Sequence, residues 1–277
     1  MRDLTREVTV FVTTVGDEVN LRDCLERLER QSARFGLKLI RNVAPLAAAY
    51  QKMLDECETR FYVQVDEDMA LDAGAVETLY EAIAAEPEST ALVCAGLWDC
   101  DVERPIYGVK VYRHSTVRRF PYEDTFSCEK TQLARLRAAG YDARMMPIPG
   151  REACLGEHGK HYTPRTIFAR WRRLMQKQRR YGTLKWVEEW PARLHDRWVA
   201  TRLPLHLYAW LGATAGLVGE LPPDRESDFR LPDPEFERCY AASILIPVLE
   251  QREEWLAQAV RSALSQTAPC EAIVVTS

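Results

Sequence analysis

Three acidic residues follow an apolar stretch near the middle of the first half of the chain. Asp66, Glu67 and Asp68 come directly after Phe61–Val65, which is predicted to be a buried strand. Open parallel sheets bind their ligands beyond the carboxyl ends of the strands. Carboxylates at alternate positions of a tight turn can hold one hard cation, Mg²⁺ or Mn²⁺, together with diphosphate oxygens. A solvated acidic turn or a helix cap is the alternative, and the position after a strand favours the metal site.

A second polar segment contains two histidines three positions apart. His158 and His161 lie in the glycine-containing run Gly156–His161. Both side chains could reach one metal ion or one phosphate group. The alternative is a histidine whose ring is satisfied by the backbone, or one that caps the helix predicted to begin at Thr163.

Charge is distributed unevenly along the chain. The 277 residues carry a formal net charge of −4. Residues 159–202 contain 12 Lys or Arg against 3 Asp or Glu, a local charge of +9 that leaves −13 for the remainder. Apolar residues such as Phe168 and Trp171 interrupt the basic ones at helical spacing. The pattern is typical of a basic helix that packs its apolar stripe on the core. It is also typical of a helix that binds an anionic membrane surface, through residues 163–221, or a lipid-linked acceptor.

The elements that must position these residues follow from apolar periodicity. Strands predicted at 8–15, 37–43, 61–65 and 91–97 alternate with helices at 20–34, 47–57 and 72–85. A further strand is predicted at 105–113 and a helix at 131–139, ended by Gly140. Such alternation predicts parallel strands joined by right-handed crossovers. The expected fold class is therefore α/β, a mostly parallel sheet sandwiched by helices and followed by an α-helical region.

The helical region is predicted in three parts. One pattern runs from Thr163 to about Trp190, and another begins at Pro191. Leu203–Gly219 is a mostly apolar segment of about 17 residues that includes Pro204 and His206, shorter than the roughly 20 apolar residues that a membrane span needs. We expect a buried or interfacial helix there.

Several segments, taken in order, resemble one enzyme family. They are the strand Val8–Val15, the helix Leu21–Arg34, the segment Pro45–Tyr50, the D-x-D turn, and the run Arg135–Tyr141 (R-L-x-x-A-G-Y). Residues 1–162 thereby resemble the nucleotide-sugar glycosyltransferases of the GT-A fold, most closely the inverting family 2. The resemblance implies a hexosyltransferase-type enzyme of polysaccharide or glycolipid synthesis. Such an enzyme moves a sugar from a nucleotide-sugar donor to a hydroxyl of a carbohydrate or lipid-linked acceptor.

The resemblance also implies a metal centre. Asp66 would face the ribose or the metal, and Asp68 would be the principal ligand of Mg²⁺ or Mn²⁺. Enzymes of this fold often close the metal site with a histidine downstream of the catalytic acid. His158 or His161 lies where that residue would fall.

Donor-binding residues are implied in the same way. Thr13, Thr14 and Gly16, in the loop after the first strand, would line the nucleoside pocket, and Glu67 would belong to the same site. Family members usually have an acidic residue at the end of the second strand to hold the base. Asn42 takes that position here, and because an amide both donates and accepts hydrogen bonds, the identity of the base is left open.

Inverting transfer needs a carboxylate that takes the proton of the acceptor hydroxyl. In family 2 this residue typically lies about eleven positions before the glycine of R-L-x-x-A-G-Y, where it can act as general base. Counting back from Gly140 reaches Glu129, which follows Cys128 in place of the usual Glu. The pair Glu123 and Asp124 offers Asp124 as the alternative base.

The last 40 residues resemble the opening of a second family 2 domain. A strand at 241–249, a helix at 255–265 and a strand at 271–276 follow a proline-containing linker. This segment has neither a D-x-D turn nor a candidate base. We expect a glycosyltransferase domain at 1–162, a basic helical region with its linker at 163–236, and the truncated start of a second GT-A-like domain at 237–277.

Composition excludes several classes of protein. With 47% hydrophobic and 28% charged residues, the chain is neither disordered nor fibrous. Its charge balance is too even for a protein that binds nucleic acid over its surface, so no nucleic-acid partner is expected. The eight cysteines include no C-x-x-C pair, and the N-terminus shows no signal-peptide pattern. These features predict a cytoplasmic protein, or one that is peripheral at the inner face of the membrane.

Two functions other than glycosyl transfer stay open. A nucleotidyltransferase also uses paired acids and Mg²⁺ on an α/β sheet, although its glycine- and lysine-rich phosphate loop is missing near the first strand. A catalytically inactive GT-A module that binds a nucleotide-sugar or a glycan is consistent with Asn42 and Cys128 in place of the expected acids.

Overall fold

The computed structural model describes residues 1–182, 184–219, 221, 242–248, 253–265 and 270–276. The chain divides into two compact units, Met1–Leu231 and Pro232–Ser277. The first unit contains both the sheet and the helices that follow it. The domain limits expected at 162 and 236 stay a prediction.

The strands of the first unit were expected at five positions, and the structure adds several short ones. In chain order they are β1 (Arg2–Asp3), β2 (Val8–Thr14), β3 (Ala33–Arg34), β4 (Gly36–Arg41), β5 (Phe61–Asp66), β6 (Met69–Leu71), β7 (Thr90–Asp99), β8 (Arg104–Arg113), β9 (Asp142–Met145) and β10 (Gly156–His158). Strands β1 and β3 form a separate parallel pair. The others form one sheet in the order β4-β2-β5-β8-β7-β10-β6, with β9 also paired to β7.

Most of the pairings in this sheet are parallel. Strand β2 pairs in parallel with β4 and β5, and β7 pairs in parallel with β9 and β10. Strand β8 runs antiparallel between β5 and β7, and β6 runs antiparallel to β10. The expected α/β fold class with a mostly parallel sheet is confirmed.

The helices of the first unit cover the sheet and then extend beyond it. They are α1 (Glu18–Glu29), α2 (Leu46–Glu56), α3 (Ala75–Ala84), α4 (His114–Val117), α5 (Cys128–Ala138), α6 (Pro164–Tyr181), α7 (Leu184–Thr201) and α8 (Pro204–Val218). Two of them begin at strong sequence signals. Asp17 caps α1 by accepting from the amides of Val19 and Asn20, and Thr163 and Thr166 form a capping box at the start of α6, with Pro164 in its first turn.

Two apolar cores, one on each face of the sheet, explain the near-continuous apolar strands. Successive residues of a strand point to opposite faces. Val10 and Val12 of β2 pack with α1 and α3, whereas Phe11, between them, packs with α2 and α5. In β5, Val63 packs in the same core as Val10 and Val12, and Tyr62 packs in the same core as Phe11. The helices therefore lie on both faces, as expected.

Helices α6, α7 and α8 form a third core. The apolar stripe of the basic helix α6 is buried there, with Trp171 and Met175 against Ala209 and Ala213 of α8. The structure thus shows the packed alternative for this helix; membrane contact stays a prediction. No helix in the described part of the chain is long and apolar enough to cross a membrane.

The break between α6 and α7 differs from the expectation. The structure ends α6 at Tyr181, before Gly182, and α7 continues through Pro191. Trp190 remains in the third core. Helix α7 therefore contains in its interior a proline that the sequence pattern places at a helix start.

Close approach of two backbones requires glycine at two positions of α8. A Cβ atom built on Gly212 would lie 2.3 Å from the carbonyl oxygen of Phe168, and one on Gly216 would lie 2.2 Å from that of Arg172. Real Cβ atoms do not approach backbone oxygen this closely, so any larger side chain must push α8 away from α6.

We expect Gly212→Ala to lower the free energy of unfolding by about 1–3 kcal/mol, because overpacking outweighs the roughly 1 kcal/mol that alanine gains in a helix interior. Urea denaturation followed by circular dichroism measures the change. Gly74→Ala is the control, since its Cβ would meet nothing within 4 Å. A more stable Gly212→Ala protein would show that helix propensity, and not packing, determines the effect of this substitution on the free energy of unfolding.

The second unit contains a strand–helix–strand segment. Strands β11 (Ala242–Val248) and β12 (Cys270–Thr276) pair in parallel, with α9 (Glu253–Leu264) between them in sequence. This element order agrees with the expectation for residues 241–276. Its assignment to a second glycosyltransferase domain stays a prediction.

Candidate active site

A cleft of about 440 Å³ opens at the carboxyl ends of the central strands. The ends of β2 and β5 form its floor, and one face of α6 forms a wall. Parallel strands place their carboxyl ends at one edge of the sheet, which explains why residues distant in sequence meet here. Seven of the residues singled out in the sequence line this cleft: Thr13, Thr14, Asp66, Glu67, Asp68, Glu129 and His158.

Asp66 ends β5 and is held by two hydrogen bonds. Its Oδ1 accepts from Thr13 Oγ1 at 2.5 Å and from Gln64 Nε2 at 2.9 Å. Burial and then the neighbouring charge of Asp68 raise the pKa of Asp66, and the Thr13 hydrogen bond only partly opposes them. A carboxylate whose ionisation is opposed by burial and by a neighbouring carboxylate is one that a cation would stabilise.

Asp68 lies two residues further along the turn. Its Oδ2 accepts from the hydroxyl of Tyr162 at 2.8 Å and lies 3.4 Å from His158 Nε2. Its Oδ1 is buried and has no hydrogen-bond partner among the described residues. An unpartnered buried carboxylate oxygen is costly unless a ligand occupies it.

These two carboxylates fit a divalent cation that takes its other ligands from outside the protein. Within the described ranges, no three His, Cys, Asp or Glu side chains form a complete metal-binding group. Mg²⁺ is commonly held by one or two carboxylates together with water and substrate phosphates. Asp66 and the open Oδ1 of Asp68 match that pattern.

Glu67 has a different role from its two neighbours. It is only 7% exposed, and its carboxylate accepts from Thr14 Oγ1 and from the amides of Val15 (3.1 Å) and Asp17 (3.2 Å). Both oxygens are therefore engaged with the loop after β2. Glu67 lines the cleft as expected, and its contacts hold the loop in shape.

Glu129 lies in the first turn of α5 and faces the cleft. Its Oε1 is 2.7 Å from Lys110 Nζ, on β8. Burial raises the pKa of Glu129, but the positive charges of Lys110 and Lys177 outweigh it, so the pKa lies below its ordinary value. Glu129 is consequently ionised at neutral pH. The alternative base, Asp124, is not among the described residues that line the cleft.

His158 belongs to a network of buried charges that connects the site to the helical region. Its Nδ1 lies 3.1 Å from Asp99 Oδ2, and Asp99 is fully buried. Burial raises the pKa of Asp99, but the bond to His158 and the charge of Arg170 lower it to about 2. Arg170 also binds Asp101 at 2.8 Å. This network of charged side chains holds the His158 ring beside Asp68.

His161 is not brought to the site. Its Nε2 lies 3.0 Å from Asp23 Oδ2 on α1, and it does not line the cleft. Of the two histidines, the structure places only His158 next to an acid of the D-x-D turn. The following residue, Tyr162, supplies the other contact to Asp68.

Two residues of the expected nucleoside pocket lie outside the cleft lining. Gly16 has a φ of +106°, which favours glycine in the loop between β2 and α1. Asn42 is exposed, with a φ of +50°, and its backbone N–H donates to the backbone carbonyl of Thr14 at 2.9 Å. Ile40 and Val43, on either side of Asn42, line the cleft instead.

Several functional residues were missed by sequence reasoning. Lys110 was an ordinary polar position of a strand, and Tyr162 followed the histidine segment without a motif of its own. The basic run of α6 was noticed, but nothing in its pattern indicated which cations face the cleft. The structure places there Arg170, Arg173 and Lys177.

No protein-family model and no curated protein matches the sequence. Solved structures match at low identity. A mannosyltransferase from Pyrobaculum calidifontis, in complex with GDP-Man and Mn²⁺, is 15% identical over 79% of this chain and 90% of its own, with a TM-score of 0.49. Glucosyl-3-phosphoglycerate synthase from Mycobacterium tuberculosis, in complex with Mn²⁺, UDP and glucosyl-3-phosphoglycerate, is 12% identical over 57% and 73%, with a TM-score of 0.40.

A third similar structure has another activity in its name. A cytidylyltransferase from Leptospira borgpetersenii is 10% identical over 57% of this chain and 82% of its own, with a TM-score of 0.37. The similar structures thus include sugar transferases and a nucleotidyltransferase. At these identities and scores, the similarity assigns no reaction to the chain.

Proposed function

We propose that this protein is a metal-dependent inverting glycosyltransferase that moves a sugar from a nucleotide-sugar donor to a hydroxyl of a carbohydrate or lipid-linked acceptor. One observation carries the proposal: Asp66, Asp68 and Glu129 line one cleft at the carboxyl edge of the sheet. The first two suit a cation and diphosphate, and the third suits a base.

The donor lies along the strand ends in this proposal. Thr13 and Thr14 place hydroxyls at the cleft, while Ile40 and Tyr50 give it apolar walls suited to a nucleoside. A divalent cation held by Asp66 and Asp68 would neutralise charge on the departing diphosphate. The unpartnered Oδ1 of Asp68 supports this assignment.

Glu129 is the proposed general base. As the acceptor oxygen attacks the anomeric carbon, the bond from that carbon to the diphosphate breaks, and the hydroxyl proton passes to Glu129. The contact with Lys110 orients the carboxylate and keeps it ionised. Attack from the side opposite the leaving group inverts the anomeric centre.

Removing the charge of Lys110 should shift the acid limb of the pH–activity profile. In the native protein the pKa of Glu129 is depressed, so the base stays ionised to a pH below the ordinary range of glutamate. In Lys110→Met, the largest positive charge that opposes the effect of burial is lost, so the pKa of Glu129 rises. The acid limb of the kcat/KM profile should therefore shift to higher pH, whereas Lys52→Met, a lysine paired with Glu56 on α2, should leave it in place. An unshifted limb in Lys110→Met would exclude Glu129 as the titrating base.

Release of nucleoside diphosphate tests the function directly. The full chain is incubated with Mn²⁺ and a series of nucleotide-sugars, and the product sugar is examined for inversion. Release from at least one donor supports the proposal. Tight binding of a donor without release would identify a non-catalytic binding module.

A parallel incubation with nucleoside triphosphates and sugar phosphates tests the nucleotidyltransferase alternative. That activity would release pyrophosphate from a nucleoside triphosphate and a sugar phosphate. The loop between β2 and α1 does not favour it, because the residues there are Val15, Gly16 and Asp17, with Glu67 beneath them, and no lysine is present to hold a triphosphate.

A further inference from the structure

The residues between β10 and α6 hold Asp68 at two points. The backbone N–H of Gly159 donates to the backbone carbonyl of Asp68 at 2.9 Å, and the hydroxyl of Tyr162 donates to Asp68 Oδ2 at 2.8 Å. Both partners are distant in the chain, and Tyr162 is 94 positions away. The orientation of this acid in the D-x-D turn therefore depends on a segment outside the turn.

The two oxygens of the Asp68 carboxylate have different surroundings. Oδ2 accepts from Tyr162 and lies 3.4 Å from His158 Nε2. Oδ1 is buried and has no hydrogen-bond partner among the described residues. Because the two oxygens of a carboxylate are fixed relative to each other, a hydrogen bond at Oδ2 also restricts the position of Oδ1. The hydroxyl of Tyr162 thereby determines which oxygen is left for a ligand.

Contacts from α6 and β10 hold the Tyr162 ring in turn. The guanidinium carbon of Arg170 lies 5.2 Å from the centroid of the ring, within the range of a cation–π contact. The His158 ring meets the same ring edge-on, with centroids 6.1 Å apart. Since Asp99 and Asp101 both bind Arg170, the tyrosine ring lies against a side chain that is itself held in place.

Glycine at position 159 admits the tyrosine ring. A Cβ atom built on Gly159 would lie 2.2 Å from Tyr162 Cε2 and 2.5 Å from its Cζ, closer than real atoms approach. The φ of Gly159 is +72°, a conformation that other residues adopt only with strain. A larger residue at position 159 must therefore displace the ring whose hydroxyl reaches Asp68.

We propose that Tyr162 is a positioning residue of the metal site, that its hydroxyl holds Asp68 with Oδ1 free for the cation, and that Gly159 makes room for its ring. This inference rests on the proposed function, in which Asp68 binds the metal ion. The hydrogen bond withdraws some charge from the carboxylate, which by itself would weaken its hold on a cation. Orientation outweighs this effect, because the loss of a partner that orients a metal ligand typically costs about 10–100-fold in metal affinity.

Tyr162→Phe tests the assignment, because it removes the hydroxyl and keeps the ring. In the full chain we expect the affinity for Mn²⁺ with UDP or GDP, measured by electron paramagnetic resonance, to fall by about 10–100-fold. Tyr107→Phe is the matched control, since its hydroxyl donates to the backbone carbonyl of Met146 at 3.1 Å, outside the cleft lining. Its Mn²⁺ affinity should change by less than about threefold. Circular dichroism checks that each variant is folded.

Kinetics distinguish positioning of the metal ligand from direct contact with the donor. In Tyr162→Phe the Mn²⁺ concentration needed for half-maximal nucleoside diphosphate release should rise with the loss of affinity. At saturating Mn²⁺, kcat and the KM for the nucleotide-sugar should return to within about threefold of their original values. A donor contact would instead raise that KM at every Mn²⁺ concentration.

A double-mutant cycle tests the role of the glycine. Gly159→Ala should weaken Mn²⁺ binding when Tyr162 is present, because the displaced ring no longer brings its hydroxyl to Asp68. In the Tyr162→Phe background the same change should add little, since there is no hydroxyl to displace. Losses that add in full would contradict an effect of Gly159 through Tyr162.

Two further results would overturn the inference. One is an unchanged or tighter Mn²⁺ affinity in folded Tyr162→Phe; the other is a KM for the nucleotide-sugar that stays raised at saturating Mn²⁺, which would make Tyr162 a donor contact. Failure of the proposed function is a separate observation, because the unmodified chain would then bind no Mn²⁺ with UDP or GDP and release no nucleoside diphosphate from any donor.

Discussion

Asp68→Asn is expected to lower nucleoside diphosphate release by about 10²–10³-fold, the usual cost of removing one group that stabilises developing charge. The buried Oδ1 of Asp68 has no partner among the described residues, so it is the protein oxygen most available to a cation. An amide keeps the shape of the side chain and removes its charge. Binding of Mn²⁺ in the presence of UDP or GDP, followed by electron paramagnetic resonance, should weaken together with the activity.

Stability separates this effect from misfolding. Asp68 adds to the burial that raises the pKa of Asp66, so removing its charge relieves a repulsion. Removing the charge also weakens the contact with His158, 3.4 Å away, so the two effects oppose each other and the melting temperature of Asp68→Asn should change little. Asp72→Asn is the matched control, an exposed acid on the same segment that does not line the cleft. Unchanged Mn²⁺ binding and turnover in Asp68→Asn would contradict the proposal that Asp68 binds a metal ion.

Glu129→Gln is expected to lower kcat by about 10²–10⁴-fold, the usual contribution of a general base. Donor binding should be preserved, because Glu129 is the proposed base for the acceptor and contacts Lys110, not the D-x-D turn. Single-turnover transfer measures the loss, and the affinity for UDP or GDP with Mn²⁺ shows whether the donor site is intact.

Two further variants make this result specific. Lys110 loses its counter-charge in Glu129→Gln, so the double variant Lys110→Met/Glu129→Gln should recover stability without recovering turnover. Asp124→Asn should keep full activity, since Asp124 does not line the cleft. If Asp124→Asn lost turnover while Glu129→Gln kept it, Asp124 would be the base.

Much of the fold could be predicted because apolar periodicity is a local property. The strands β2, β5 and β7 and the helices α2 and α3 were each predicted to within a few residues of their ends. The helix α1 ends at Glu29, before the predicted limit at residue 34, and Ala33–Arg34 forms β3 instead. The short strands β6, β9 and β10 were missed. Each has three or four residues, too few to show an alternation of apolar and polar side chains. Strands β9 and β10 are recognisable only by their pairing with β7.

The sequence by itself determined which acids could do chemistry at the strand ends. Asp66 and Asp68 end a strand whose apolar run is visible in the letters, and Glu129 begins a helix whose C-terminal end is marked by Gly140. Spacing along one element is local information. The site at Asp66 and Asp68 followed from the position after a strand of an α/β sheet, whereas Glu129 followed from the resemblance to family 2 and its spacing before Gly140.

Only the tertiary structure decided what surrounds those acids. The order of strands places Lys110 of β8 against Glu129, and β10 lies beside β7, so His158 meets Asp99 while His161 turns to Asp23. The packing of α6 directs Arg173 and Lys177 into the cleft. Such contacts join residues far apart in the chain, and they depend on sheet order and helix packing, which the apolar pattern of a single sequence does not encode.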